Sequence, residues 1–386
     1  MTTEQLMFSC IRAAICGSDE SETLKEQLSA EAAGALYTLA KSHDLAHVVA
    51  ETLGNGGLLD DGVIAQKFQK QQMLAVYRYQ RLNYELQALG AALEEAQIDF
   101  VPLKGAVLRP YYPEPWMRTS CDIDVLVHEE DLERAIEVLT DRLECKKEGR
   151  STHDVSLVTA SGIHIELHYS LLEEGRAADA NDILSHIWDY TAPDDGCTYR
   201  RHMSDAAFYF YHIAHMAKHF ERGGCGVRPF IDLWLLDRRE GDDPNERNTL
   251  LQRGGLLTFA EAARGLACAW MRGENAEGVA RQLGDYILRA GVYGDTETKV
   301  ILGQAKTGGR FRYIMGRIFP PLSYLKSQYP ILKKHAWLVP ICYVRRWGRL
   351  VFLRRAGHSV NELRASGSVS ADQKKNAAGL LENLGL

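Results

Sequence analysis

Between residues 298 and 361 the sequence contains no aspartate or glutamate. The same stretch holds 13 lysines and arginines, and the rest of the chain carries 32 basic and 51 acidic residues. The formal charge of −6 is therefore the sum of −19 and +13, a segregation that marks an interaction surface or an internal docking face. Long apolar runs are also missing. None reaches the roughly 18 residues of a membrane-spanning helix, so no transmembrane segment is expected. The stretch Met1–Leu6 has an acid and no basic residue, so a secretory leader is not expected and the chain reads as cytoplasmic. Eight cysteines include no CxxC pair, which argues against a zinc ribbon or a disulfide framework. No internal repeat is visible, which argues against a solenoid. What remains is an ordinary globular composition, 46% hydrophobic and 25% charged over 386 residues, enough for two or three domains.

Four regions follow from the pattern. Residues 1–97 read as several helices without a strand, with Ser29 as an N-cap, a break at Asn55-Gly56-Gly57 and a long apolar period from Gly62 to Gln97. Residues 98–175 change character. Ile98–Leu103 reads as a strand, Cys121–Val127 as a second and Glu129–Glu144 as an amphipathic helix. Asp154–Ala160 and Ile163–Ser170 read as a hairpin turning at Ser161-Gly162. That order predicts a compact α/β or α+β unit. Residues 176–297 return to helix, with spans at Asp205–His219, Val227–Asp237, Leu257–Arg272 and Ala276–Ala290. Residues 298–386 are the basic segment and a polar tail, expected to be loosely ordered near Gly367–Ser370.

Three motifs carry chemistry. In Cys121-Asp122-Ile123-Asp124-Val125-Leu126-Val127, strand alternation puts Asp122 and Asp124 on one face and Ile123, Val125 and Val127 on the other. Two acids there suit a hard divalent cation, or else a solvated strand end. In Ile163-His164-Ile165-Glu166-Leu167-His168, His164, Glu166 and His168 share a face. If that strand lies near the aspartates, Glu166 is a third carboxylate on one platform, and three acids can hold two metals for in-line phosphoryl displacement. Asp154 competes for that place. Leu103-Lys104-Gly105 ends a strand and opens a helix; glycine admits a phosphate close to backbone, helix amides favour anions, and Lys104 adds a point charge. Arg118 and Ser120, just before Asp122, are within reach of the same phosphate.

This order resembles the DNA polymerase beta-like nucleotidyltransferase superfamily, except that the usual glycine-serine turn is Lys104-Gly105. The departure is similar to a bacterial branch, the uncharacterised nucleotidyltransferases, whose members carry an LKG turn, an arginine before a DID strand, an IELH-like strand and an H-x-x-K-H helix. The matching residues here are Leu103–Gly105, Arg118–Asp124, Ile165–His168 and His215–His219, and the likeness runs from about Ile98 to Asp237. It implies an α+β fold, with residues 98–175 as a small mixed-sheet catalytic core between helical flanks. It also implies Asp122, Asp124 and Glu166 on Mg²⁺ or Mn²⁺, Lys104 and Gly105 on the triphosphate, and transfer of a nucleoside monophosphate, AMP by default, from ATP or another NTP with release of pyrophosphate. The acceptor stays open: a small molecule, a peptide, a protein side chain or a tRNA end. Rival readings keep the fold as an inactive nucleotide-binding scaffold, or let the basic segment define an RNA- or membrane-binding protein.

Two features remain two-sided. His212, His215 and His219 share a helix face and suit either zinc, or, as His215, Lys218 and His219, the nucleotide phosphates, or a plain polar face. Arg228 and Asp232 are four apart and can pair across a turn or contact base, ribose or acceptor. In the basic segment, Arg310, Arg312, Arg317, Lys326, Lys333, Lys334, Arg345, Arg346, Arg349, Arg354 and Arg355 alternate with aromatics, which suits an acidic partner, RNA, anionic lipid or the protein's own acidic surface.

Overall fold

The computed structural model describes residues 1–59, 62–172, 178–239, 243–291, 296–352, 367 and 369–386. The first part folds as α1 (Thr3–Cys16), α2 (Ser21–Gln27), α3 (Ala30–Ser42), α4 (Ala46–Asn55) and α5 (Val63–Glu95), with no strand among the described residues. Ser29 caps α3 as its position predicts, accepting from the Ala32 amide. Helix α5 is 33 residues long, and at 1.5 Å per residue it spans about 50 Å. Its length lets it serve two cores. Phe68 packs with α1, α3 and α4, while Leu82, Leu86, Leu89 and Leu93 cover the sheet.

The sheet consists of β1 (Phe100–Pro102), β2 (Asp122–Val127), β3 (Lys146–Arg150), β4 (Asp154–Val158) and β5 (His164–His168). Their order is β1-β2-β5-β4-β3, with β2 and β5 parallel and the other neighbours antiparallel. A single turn, α6 (Gly105–Leu108), follows β1, and α7 (Leu132–Leu143) follows β2. Ile123, Val125 and Val127 bury against α5 and against Ala135, Ile136 and Leu139 of α7. That burial of one sheet face, at about 1.5–3 kcal/mol per large side chain, fixes the register and turns Asp122 and Asp124 to the other face. The small mixed sheet between helical flanks is the α+β class that the sequence predicts. Strand β3 was not expected. Lys146-Lys147-Glu148-Gly149-Arg150 has no apolar alternation, every residue is exposed, and the register shifts between Lys147 and Gly149. A charged, bulged edge discourages further pairing, so the strand is visible only through its partner β4.

Beyond the sheet come α8 (Ala178–Ser185), an unanticipated hairpin of β6 (Thr191–Pro193) and β7 (Arg201–Met203), α9 (Asp205–Glu221), α10 (Arg228–Leu236), α11 (Pro244–Arg253), α12 (Leu257–Arg272), α13 (Gly278–Ala290) and α14 (Thr296–Thr307). The basic segment forms α15 (Arg310–Ile318), α16 (Leu322–Gln328) and α17 (Val339–Phe352). The first and later helices share one core: Leu6, Met7 and Ile11 of α1 pack with Phe230 and Leu233 of α10 and with Phe259 and Leu266 of α12. The expected loose tail is corrected at its end. Ser370 makes a capping box with Gln373 and opens α18 (Ala371–Asn383), which buries Ala377, Leu380 and Leu381.

Candidate active site

The parallel pairing of β2 with β5 builds the site. Asp122 lies opposite His164, Asp124 opposite Glu166 and Leu126 opposite His168. Adjacent strands are about 4.8 Å apart, so in-register side chains on one face touch. The convergence expected of Glu166 with the DxD strand is present. Asp154, the competing acid, lies opposite His168 on β4, where it accepts from the Ser151 hydroxyl at 2.7 Å, and it is not among the residues close enough to share an ion.

Lys104 reaches into this face from the end of β1. Its Nζ lies 2.6 Å from Asp124 Oδ1 and 4.0 Å from Glu166 Oε2. His168 Nε2 lies 2.9 Å from the same Asp124 oxygen and 3.5 Å from Glu166 Oε2. Asp124 is buried. Burial alone would raise its pKa, but Lys104 and His168 outweigh that and hold the carboxyl well below the usual carboxylate range. Asp122 is pushed the other way, by burial and then by the Asp124 charge. His168 is raised: burial opposes its charge, and hydrogen bonds to Asp124 and Glu166 overcome that.

Among the described residues, Asp124, Glu166 and His168 are the group of acid, thiol or imidazole side chains close enough to share an ion, with ligand atoms within 4.8 Å of one another. Asp122 was expected in that group and falls outside it, and His168 was on the right face but not counted. Carboxylate oxygens from two strands fit a hard divalent cation. The imidazole suits Mn²⁺ better than Mg²⁺ as a direct ligand. As a hydrogen-bond partner it orients Asp124.

The Lys104 backbone is strained. It has φ 47° and ψ −116°, a region that glycine occupies far more readily. A lysine where the superfamily places glycine thus carries a backbone cost for the position of its ammonium. Lys104→Gly and Lys104→Ala both delete the ammonium, but only glycine relieves the backbone. The glycine variant is expected to be the more stable by about 1 kcal/mol or more in urea unfolding. Equal midpoints would mean that no strain is stored there.

Around Lys104 the expected phosphate cradle looks different from the sequence reading. Helix α6 is one turn long, so its dipole adds little. Gly105 sits in a close-packed spot: a Cβ there would meet Arg109 Nη2 at 3.2 Å and Ser120 Oγ at 3.3 Å, so those side chains would have to shift by a few tenths of an ångström. The Ser120 hydroxyl accepts from Arg109 and donates to the Asp122 carbonyl at 3.0 Å, holding the entry to β2. Arg109, which the sequence reading missed, is buried, and burial with the nearby Arg118 charge lowers its pKa to about 10.

Arg118 and Asp232 are bound to each other. Arg118 Nε donates to both Asp232 oxygens at 2.7 and 3.0 Å, and the Tyr112 hydroxyl donates to the same carboxylate at 2.7 Å. Asp232 is fully buried, so this pair lies under the site and leaves neither group free for a phosphate. The Arg228–Asp232 pair expected across one turn does not form. Arg228 instead donates to Asp44 at 3.0 Å and to the Thr119 hydroxyl at 3.1 Å. As the first residue of α10, its side chain leans back past the helix start, away from residue 232. Asp44 and Thr119 were not anticipated, because nothing in sequence links positions 44, 119 and 228.

The histidines of α9 also separate. His212 is buried with Nε2 3.1 Å from the Pro229 carbonyl, which takes it out of any shared site. His215 and His219 are paired, Nε2 to Nε2 at 3.1 Å, so one imidazole donates and the other accepts. This corrects the zinc reading. Burial, then Lys104 and His219, hold His215 well below its ordinary pKa; burial, then Lys218 and Lys104, lower His219. The fold favours both neutral, whereas the unfolded histidines titrate near about 6.5. Below that pH the unfolded chain binds more protons, so stability drops as pH falls through it. His168, raised, acts in the opposite sense. Urea midpoints are expected to fall between about pH 7 and about pH 5.5, and His215→Asn to shrink the fall. An identical fall in the variant would refute the His215 contribution.

A cation held over paired carboxylates on a five-stranded mixed sheet is the setting of phosphoryl-group transfer, in which positioning and charge neutralisation do most of the catalysis. The protein is a nucleotidyltransferase by family. A family profile described as uncharacterised nucleotidyltransferase matches residues 29–272, and the chain belongs to that family. Among solved structures it is similar to the antibiotic-resistance factor ANT(2'')-Ia, at 10% identity and a TM-score of 0.26, over 49% of this chain and 90% of that one. Comparison with curated proteins finds no match. No helix among the described residues is long and apolar enough to cross a membrane.

Proposed function

We propose that the protein transfers a nucleoside monophosphate from a nucleoside triphosphate, ATP by default, to an acceptor nucleophile, and that pyrophosphate leaves. The observation that carries this is Asp124, in register with Glu166 and capped by Lys104. A divalent ion, Mg²⁺ or Mn²⁺, held by Asp124 and Glu166 would neutralise the carboxylates and stabilise charge at the α-phosphate. His168 fixes the orientation of Asp124 through its 2.9 Å contact. Glu166, 37% exposed against 4% for Asp124, would take the proton from an acceptor hydroxyl. Lys104 now neutralises Asp124; with a triphosphate present its nearest alternative anion is the phosphate chain, so it exchanges one for the other. His215 lies within electrostatic reach of both Lys104 and Lys218. The acceptor is a small molecule, peptide, protein side chain or tRNA end.

The test is incubation with each triphosphate labelled at the α-phosphorus, a divalent cation and fractionated lysate. Label is expected in one acceptor fraction, dependent on the cation, with pyrophosphate formed in equal amount. Hydrolysis alone, or label from the γ-position only, would contradict nucleotidyl transfer. Lys104→Ala is expected to weaken triphosphate binding about tenfold, as loss of one charge-assisted contact, while leaving the pH profile in place. Wild-type affinity would remove Lys104 from the triphosphate site.

A further inference from the structure

The basic segment presents an apolar surface that the transfer site does not use. Of the sixteen large hydrophobic side chains exposed among the described residues, nine lie between 311 and 344, so the exposure is concentrated. On α15, Phe311, Met315 and Ile318 recur at four- and three-residue steps and are 76%, 36% and 39% exposed. On α17, Ile341 and Val344 stand one turn apart, with Trp337 just ahead of the helix, and all three are exposed. The side of α17 away from them is buried: Cys342 packs with Leu325 and Leu332 in a small separate core. The two stripes are tied together. Phe319 packs edge-on against Tyr343 and Trp347, and Trp347 Nε1 donates to the Ile318 carbonyl at 3.0 Å. Arg310, Arg312, Arg317, Lys334 and Arg345 are exposed around the stripes, in a stretch without one acid. Arg354 and Arg355 lie outside the described residues, as do the side chains of Lys333 and Arg349.

We propose that α15, Trp337 and α17 form a docking face for an anionic lipid surface, with Phe311, Met315, Ile318, Trp337, Ile341 and Val344 seated at the headgroup boundary and the arginines on the headgroups. Charge complementarity and side-chain type select this occupant. A second copy would bring one acid-free basic face against another. Single-stranded RNA would satisfy the cations and the exposed rings, but it offers nothing to Met315, Ile318, Ile341 and Val344, whereas acyl chains do. Folding back onto the protein's own acids is not what the structure shows, because the stripes are exposed. No helix among the described residues is long and apolar enough to cross a bilayer, so the face lies on it. The inference is independent of the transfer chemistry.

Co-sedimentation of the full chain with vesicles tests it. Binding is expected to vesicles of equal parts phosphatidylcholine and phosphatidylglycerol, to weaken with salt, and to be absent with phosphatidylcholine alone. Arg312→Glu with Arg345→Glu is expected to weaken binding at least about 25-fold, at about fivefold per lost cation before the repulsion of the added anions. Phe311→Asp with Ile341→Asp should weaken it at least about tenfold, since both remove apolar burial and add anions. These side chains are exposed, so thermal midpoints should stay at the wild-type value and separate lost docking from lost folding. Failure to bind anionic vesicles, equal binding to neutral ones, or retained binding by the Phe311→Asp, Ile341→Asp variant would overturn the proposal. So would salt-sensitive RNA binding that exceeds vesicle binding and survives that variant, which would assign the face to nucleic acid.

Discussion

Asp124→Asn is expected to lower nucleotidyl transfer about a thousandfold and also to destabilise the fold. The rate effect follows from charge. A divalent ion supplies several kcal/mol of transition-state stabilisation, and about 4 kcal/mol corresponds to three powers of ten. An asparagine in that position keeps the shape but removes the anion that seats the ion. The stability effect is what the structure adds. Sequence pattern alone predicts that Asp122→Asn and Asp124→Asn both leave the fold intact. Yet Asp124 is buried and holds the Lys104 ammonium at 2.6 Å and His168 at 2.9 Å. Without it, Lys104 sits in a strained backbone with no strong partner, since Glu166 is 4.0 Å away. Truncating one member of a buried pair costs about 3–5 kcal/mol, and partial exposure of Lys104 places this case at the low end. Asp122→Asn should spare the fold, because its charge is already disfavoured by burial and by Asp124. Combining Asp124→Asn with Lys104→Met should restore much of the stability and none of the transfer. Wild-type turnover in Asp124→Asn would remove Asp124 from the ion site. Wild-type unfolding would show that its pairing with Lys104 is not a net contribution to the fold.

Asp232→Asn is expected to be the most destabilising single change near the site, by about 3–5 kcal/mol, because it strips the charge partner from a buried guanidinium. Arg118 Nε binds both Asp232 oxygens, and the Tyr112 hydroxyl adds a third hydrogen bond to the carboxylate. These contacts pin the entry to β2 onto α10, so they hold the strand that carries Asp122 and Asp124 against the helical region. Asparagine keeps one acceptor and leaves Arg118 positive and buried. Urea unfolding reads the cost directly. Replacing both partners, Arg118→Met with Asp232→Leu, should recover a large part of it, because an apolar pair of similar volume needs no desolvation of charge. A wild-type midpoint in Asp232→Asn would mean that Arg118 finds another acceptor without strain.

The parts of the site that could be read from the sequence are those set by local period. Ile123, Val125 and Val127 alternate with Asp122 and Asp124, and Ile165 and Leu167 alternate with Glu166 and His168, so the faces follow from the strand repeat alone. That the two strands are parallel neighbours is a matter of topology. The helix α7 between them makes it plausible, and β3 and β4 intervene in sequence without intervening between β2 and β5. His168 was on the visible stripe, but whether it counts as a ligand depends on distances of 2.9 and 3.5 Å that spacing does not supply.

What stayed hidden is long-range or conformational. Arg118 and Asp232 are 114 positions apart, and Arg228 and Asp44 are 184 apart. An i,i+4 argument offered Asp232 as one partner for Arg228, because it ignored that the residue begins its helix. The positive φ of Lys104 has no signature in a lysine, whereas the glycine usual in that turn would have announced it. Strand β3 was missed because an all-exposed edge has no apolar period, whereas α18 does carry one, Ala377, Leu380, Leu381 and Leu384 behind a Ser370 cap, and was passed over inside a polar tail.

The central claim is that Asp124 and Glu166 hold a divalent ion while Lys104 turns to the triphosphate. The most direct measurement is the anomalous signal of Mn²⁺ in crystals grown with a non-hydrolysable triphosphate analogue. The predicted result is a peak about 2.1 Å from carboxylate oxygens of Asp124 and Glu166, with the Lys104 ammonium moved from Asp124 onto the phosphates. A triphosphate bound elsewhere, or Lys104 still 2.6 Å from Asp124 with no ion between the strands, would contradict it.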